Sequence, residues 1–269
     1  MTKLSHWVRG LICLGLLVLS RTGWSEEPLR IRILCYNIHH AEGVDRKLDL
    51  NRIGKLIKTV NPDVVALQEV DQNVRRTRDV NQPEVLSEIT GLDVVFGKNI
   101  PLQGGHYGNV LLSSFEIQHY KNHQLPNFDQ GEQRGVIEAT LKLPGGWGAL
   151  CFMATHLDHR GDEKERLASA TAIRKIAQAR MDQPTVLAGD LNATPDSATL
   201  MRFFETWTSA NQDPRPTVPV TQPERQIDYI LFRPQARWRV VEVKVLEEAV
   251  ASDHRAIFAE LELGPSGND

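Results

Sequence analysis

The sequence is poor in cysteine and in aromatic residues, carries no surplus of positive charge, and shows no internal repeat. Three cysteines in 269 residues cannot staple a small disulfide scaffold, and no CxxC or Cys/His zinc spacing occurs. With 31 Lys and Arg against 34 Asp and Glu, the chain has a formal charge of −3 and lacks the diffuse basic surface that holds duplex DNA, although a local basic cleft stays open. No glycine-rich phosphate loop follows the first strand-like run, which argues against a dinucleotide-binding fold. What remains, 41% apolar and 24% charged residues, is the balance of a globular chain.

The one continuous apolar run, Leu11 to Leu19, is too short to span a bilayer. Lys3 and Arg9 precede it and Gly23-Trp24-Ser25 follows, the pattern of a secretory signal cut near Ser25, before Glu26. Cys13 lies early in that run and not at the cut, so a lipid-modified cysteine is not supported. The expected mature protein, residues 26–269, is then secreted or periplasmic, has no transmembrane segment and implies no protein partner. Removing Lys3, Arg9 and Arg21 leaves 28 basic against 34 acidic side chains, a net charge of −6. Export permits a disulfide between Cys35 and Cys151, but each sits inside an apolar strand-like run and reads as a core thiol.

Periodicity predicts strands near 29–37, 63–69, 92–97, 108–113, 134–143, 149–156, 184–190, 227–232, 238–246 and 255–263. Ile53, Leu56, Ile57 and Val60 repeat at helical spacing. So do Leu167, Ala170, Ile173 and Ala177, in a helix expected to start at Asp162 with Glu165 three positions on. A third, weaker helix is expected after Pro195-Asp196. Segments 98–107, 121–133 and 208–226 read as loops. Apolar strands resume after each of them, so a single domain is expected, with these loops as the walls of a site.

Polar residues recur where apolar strands end: Asn37, Glu69, His156, Asp190 with Asn192, and Asp253-His254. A side chain at a strand end is held by a rigid element and faces a cleft, as a reacting group must. Taken singly, each has a structural explanation, since such acids and amides often bond loop amides. Together, the carboxylates Glu69, Asp190 and Asp253 and the amides Asn37 and Asn192 suit a hard cation, Mg2+ or Mn2+, better than zinc.

Asn37, Leu-Gln-Glu69-Val, Thr-His156-Leu, Gly-Asp190-Leu-Asn192, Ile-Asp228-Tyr-Ile and Ser-Asp253-His254 occur in that order. In this series the chain resembles the endonuclease/exonuclease/phosphatase superfamily, from residue 29 to about 263. The resemblance implies a four-layer α/β sandwich, two packed mainly antiparallel sheets flanked by helices, with the site at one end. It also implies a metal-dependent phosphoester hydrolase in which Glu69 is the principal Mg2+ ligand and Asp253 assists. Asp190 would activate a water for in-line attack, oriented by Asn37 and assisted by Asn192. His156 and His254, the latter paired with Asp228, would donate to the non-bridging phosphate oxygens.

Several neighbours are read both ways. Asn109, after Tyr107-Gly108, is a substrate contact or a turn-former; Arg75, Arg76 and Arg78 meet a phosphate or line a solvated loop. His39, His40 and Asp45 read as surface polar residues, and Arg134 and Arg160 as phosphate contacts with no motif behind them. His156-Leu157-Asp158-His159 matches half of a dizinc hydrolase pattern, but Ala154 stands where its first histidine belongs. Among phosphoesters, the acidic chain tilts the expectation to a lipid or small-molecule phosphodiester. A secreted nuclease acting on DNA is the alternative, and a non-catalytic module that binds a phosphorylated ligand is a third reading.

Overall fold

The computed structural model describes residues 27–181 and 183–265, so the expected signal segment lies outside the described residues. Two six-stranded sheets face each other. The first contains Leu29–Asn37 (β1), Val64–Gln72 (β2), Asp93–Leu102 (β3), Gly105–Ser113 (β4), Trp238–Val245 (β11) and Ile257–Leu263 (β12), in the order β11-β12-β1-β2-β4-β3. The second contains Ile117–Gln124 (β5), Gly135–Lys142 (β6), Ala149–His156 (β7), Thr185–Asp190 (β8), Thr208–Ser209 (β9) and Asp228–Arg233 (β10), in the order β5-β6-β7-β8-β10-β9. Helices Leu50–Val60 (α1) and Gln82–Thr90 (α2) cover the first sheet; Lys164–Gln178 (α3) and Ala198–Phe204 (α4) cover the second. This is the four-layer α/β sandwich that the resemblance implies.

Strict alternation of side chains builds the layers. Ile31, Ile33 and Cys35 of β1 enter the core between the sheets, while Leu34 and Tyr36 pack under the helices; in β7, Phe152 and Ala154 point inward and Cys151 and Met153 outward. The two cysteines therefore lie on opposite faces of different sheets, and both are free and buried. Each sheet holds one parallel pair, β1 with β2 and β7 with β8, and every other pairing is antiparallel. Because α1 and α3 are the crossovers of those pairs, the carboxyl ends of β1 and β2, and of β7 and β8, emerge side by side.

Local signals set the helix ends. Asp49 accepts the Arg52 N–H at 3.0 Å to cap α1, and Asn61 closes it in the left-handed region. Ser197 caps α4 in the same way. The expected start of α3 is corrected: Asp162 bonds the Lys164 N–H, whereas Glu165 is buried against Arg160 and the Phe128 N–H instead of reaching back to a cap. The segment 98–107 is not a loop but the end of a β3-β4 hairpin, with Gln103 and Gly104 at positive φ in its turn. Part of 121–133 belongs to the edge strand β5. Among the described residues, no helix is long and apolar enough to cross a membrane.

Candidate active site

Strand register lays three of the expected residues in a row across the second sheet. Parallel pairing sets His156 opposite Asp190, and antiparallel pairing sets Asp190 opposite Asp228. In the first sheet, Asn37 stands opposite Gln68. A bulge then interrupts β2 between Leu67 and Val70, with Glu69 in the left-handed region at φ 60°. Leu67 and Val70 both pack under the helices, so the extra residue releases Glu69 from the helix-facing side that alternation would impose.

The amide of Asn37 joins the two sheets. Its Nδ2 donates to Glu69 Oε1 at 3.1 Å and to Asp190 Oδ2 at 3.1 Å. Ser252 fixes this side of the mouth: its hydroxyl donates to the Asn37 carbonyl at 2.7 Å and accepts the His254 N–H at 3.2 Å. His156 Nε2 lies 3.5 Å and His254 Nε2 3.7 Å from Asp190 Oδ2, while the Asn192 N–H donates to Asp190 Oδ1 at 2.9 Å. His254 Nδ1 is 2.9 Å from Asp228 Oδ2, which also accepts from Thr217 Oγ1 at 2.5 Å. Asn37, Glu69, His156, Asp190, Asn192, Asp228 and His254 thus form one connected cluster. Asp253 is exposed at its rim, where its charge acts on His254.

Burial and charge set the protonation states. Burial, then the charge of Asp228, raises Asp190 to about 7, against the opposing pull of His254 and the amide donors. Burial disfavours a cationic His254, but Asp228, by charge and hydrogen bond, together with Asp190 and Asp253 outweighs it and lifts the ring to about 10. His156 is driven the other way, by burial and then by the charge of Arg134, and stays neutral. Arg134 is buried, and its guanidinium lies 3.1 Å from His156 Nδ1. A guanidinium can only donate, so Nδ1 is the acceptor and the His156 proton sits on Nε2. Asn192 Nδ2, which donates to Leu157 O at 3.0 Å, faces that same Nε2 at 3.1 Å. Two N–H donors therefore converge at the mouth, an arrangement that an anionic oxygen completes.

The donor set also fits a divalent cation. Asp190 and Asp228 are buried carboxylates whose mutual repulsion a positive ion relieves, and Glu69 presents a carboxylate beside them. Among the described residues, two groups bring three ligand atoms within 4.8 Å of one another: Asp190 with Asp228 and His254, and His39 with His40 and Glu69. The first group could hold an ion once His254 loses its proton; while Asp228 keeps it cationic, His254 is a donor.

The other candidates are held by partners of their own. Asn109 is buried in β4, not in a turn, and its Nδ2 donates to Gly135 O at 3.0 Å across the two sheets. Arg76 is bidentate to Asp71 at 2.8 and 2.9 Å and lies over the Tyr107 ring; Arg160 is paired with Asp158 and Glu165. Asp45 binds Arg52. With Asp158 tied to Arg160 and His159 to Arg134, the dizinc pattern has no ligand set. Thr217 and the role of Arg134 escape sequence reasoning, because no motif surrounds them, and Ser252 stands in the Ser-Asp253-His254 block without a role read for it.

The model of the Endonuclease/Exonuclease/phosphatase family matches residues 34–254. Across 251 residues the chain is 28% identical to the uncharacterized protein YbhP of Escherichia coli strain K12, covering 88% of this chain and 98% of that protein. Among solved structures, an endonuclease/exonuclease/phosphatase from Beutenbergia cavernae DSM 12333 superposes with a TM-score of 0.76 at 25% identity, covering 89% of this chain and 73% of the other. The mannosyl-6-phosphatase Bt3783 of Bacteroides thetaiotaomicron shares the fold, with a TM-score of 0.69, 19% identity, and coverage of 86% and 99%.

Proposed function

Because the chain belongs to the endonuclease/exonuclease/phosphatase family, we propose that it is an exported, Mg2+- or Mn2+-dependent phosphodiesterase acting on a lipid or small-molecule phosphodiester. The observation that carries this reading is the convergence on one atom: Asp190 Oδ2 accepts from Asn37 and faces the Nε2 atoms of His156 and His254. Such an oxygen is placed to take a proton from a water that the surrounding donors orient.

In the proposed reaction the water oxygen bonds to phosphorus opposite the ester oxygen, its proton passes to Asp190, and the P–O bond to the leaving group breaks. Asn37 keeps Asp190 Oδ2 aimed at the water. His254, cationic through Asp228, and His156, with its proton on Nε2, donate to the non-bridging oxygens, where negative charge accumulates. Asn192 contributes its amide N–H. Glu69, assisted by Asp253, would hold the cation; when bound, it offsets charge on the phosphoryl and leaving oxygens.

The choice of substrate is supported by charge. The mature chain is acidic, and three arginines near the site are held by carboxylates, Arg76 by Asp71, Arg160 by Asp158 and Arg134 by Glu132, while Arg75 and Arg78 are exposed. That pairing does not favour a continuous basic track for a polynucleotide. A substrate panel tests the reading: a glycerophosphodiester, sphingomyelin, inositol phosphates, a sugar 6-phosphate and plasmid DNA, each with Mg2+ and with EDTA. Fastest Mg2+-dependent turnover of a lipid or small diester is expected. Preference for DNA with a steep salt dependence would replace the reading with a nuclease, and binding without turnover would replace it with a phospho-ligand module. Export is checked by N-terminal sequencing of the protein recovered from the periplasm or medium, which should begin near Glu26.

A further inference from the structure

Beside Glu69 the chain builds a pair of imidazoles that the hydrolytic reading does not use. After β1 the backbone makes a 3-10 turn in which His39, His40 and Ala41 have φ of 44°, 44° and 64°. Three consecutive non-glycine residues in the left-handed region persist only where the surroundings hold them. Here the His39 N–H donates to Asn37 Oδ1 at 3.1 Å. Gln82 clamps the next residue, donating to the His40 carbonyl at 2.7 Å while its own oxygen accepts the Asp71 N–H of β2 at 3.0 Å. The outcome is a cluster in which one ring nitrogen of His39, one of His40 and a carboxylate oxygen of Glu69 all lie within 4.8 Å of one another.

The state of each ring suits a ligand. His39 Nδ1 is 3.0 Å from the Glu42 carbonyl, which can only accept, so Nδ1 carries the proton and the lone pair is on Nε2. Metal-bound histidines are commonly fixed by such a bond from the second nitrogen. His40 is 8% exposed, its Nδ1 is buried with no partner among the described residues, and its Nε2 is 3.7 Å from Glu42 Oε2, too far for a hydrogen bond. A buried ring nitrogen without a partner calls for one. The neighbouring cation, Arg76, is paired bidentately with Asp71, although its charge still reaches the His40 ring.

We propose that His39, His40 and Glu69 form a second cation subsite that takes a first-row transition ion of the Zn2+ or Co2+ type in preference to Mg2+. Two imidazoles with one carboxylate favour such ions, whereas Mg2+ favours oxygen and retained water. The subsite shares Glu69 with the proposed catalytic ion and rests on that reading in this residue alone.

Titration of the metal-free purified protein with Co2+, in excess Mg2+, tests it. One equivalent should produce visible d–d absorption that Zn2+ abolishes and Mg2+ does not. His39→Gln and Glu69→Gln should each weaken Co2+ binding by about tenfold or more, and His119→Gln, on exposed β5, should leave it unchanged. His39 is partly exposed, so its replacement keeps the test valid if His40→Gln fails to fold. No one-equivalent band, displacement by Mg2+, or a band that survives His39→Gln would overturn the subsite. Hydrolysis measured alongside separates the two readings: Mg2+-supported turnover without the Co2+ band overturns only the subsite, and the band without turnover overturns only the hydrolase.

Discussion

Replacing Asp228 with Asn should move the whole pH profile of hydrolysis towards acid. Asp228 acts on both groups expected to define that profile: it touches His254 Nδ1 at 2.9 Å and stands opposite Asp190 in the β8-β10 register. His254 sits at about 10 against an ordinary 6.5, which at 1.36 kcal/mol per unit is a preference for the imidazolium of ~5 kcal/mol. Asp190 and Asp253 share that effect, and a single opposite charge in contact moves a pKa by about 1–3 units. The alkaline limb, where His254 loses its proton, should therefore fall by about 1–3 units in Asp228→Asn. The same charge raises Asp190, so its loss lets Asp190 ionise at lower pH, and the acid limb should fall as well. A cation at Glu69 lowers the acid limb in both proteins and leaves the direction of the difference intact. The assay is kcat/KM for a chromogenic phosphodiester between about pH 5 and pH 11 at saturating Mg2+. The optimum rate should drop about 10- to 10²-fold, since the imidazolium loses the carboxylate that orients it through Nδ1. An alkaline limb that stays in place or rises, or limbs that move apart, would refute this arrangement.

Arg134→Met should free the His156 proton to shift to Nδ1 and lower kcat about tenfold or more with a smaller change in KM; an unchanged kcat would show that the guanidinium does not set the tautomer. Gly189→Ala should destabilise the protein by about 1–3 kcal/mol in thermal unfolding, because a Cβ there would lie 2.3 Å from the Thr155 carbonyl on the neighbouring strand; wild-type stability would mean the β7-β8 pair can spread. Cys35 and Cys151 should react with a thiol reagent only in denaturant, and a reductant should leave the melting temperature unchanged, because both are free and buried; a reductant-sensitive melt would contradict that.

Much of this architecture is legible in the chain because the core strands are apolar on both faces. Runs such as Ile-Arg-Ile-Leu-Cys-Tyr and Leu-Cys-Phe-Met-Ala can form little else, and the polar residue that ends each run marks the mouth of the site. Edge elements are not legible in this way. β5, Ile-Gln-His-Tyr-Lys-Asn-His-Gln, has a mostly polar, solvent-facing pattern and is held by backbone pairing to β6. The extended β3-β4 hairpin is likewise fixed by its ladder and by a turn at Gln103-Gly104, and α2 buries only Gln82, Pro83 and Leu86.

The site shows the same division. Residues at the ends of core strands, Asn37, His156, Asp190 and Asp228, are readable because register alone carries them to one place. What depends on local backbone is not, even at a residue the sequence singles out. Nothing in Val-Val-Ala-Leu-Gln-Glu-Val announces the bulge that turns Glu69, and Thr217 reaches Asp228 from a loop whose path depends on the rest of the fold. Arg134 precedes β6 with no neighbouring motif, yet it sets the tautomer of His156. His39 and His40 read as loop polarity because only three residues of left-handed backbone bring them to Glu69.

The most direct test of the central claim, that a carboxylate from each sheet serves one phosphorus atom, is Mg2+-restored hydrolysis of a phosphodiester by the EDTA-stripped protein, compared with Glu69→Ala and Asp190→Ala. Wild type should regain turnover on adding the metal, while both variants, folded by circular dichroism, should fall by about 10²-fold or more. Equal turnover in the wild type and both variants would contradict it.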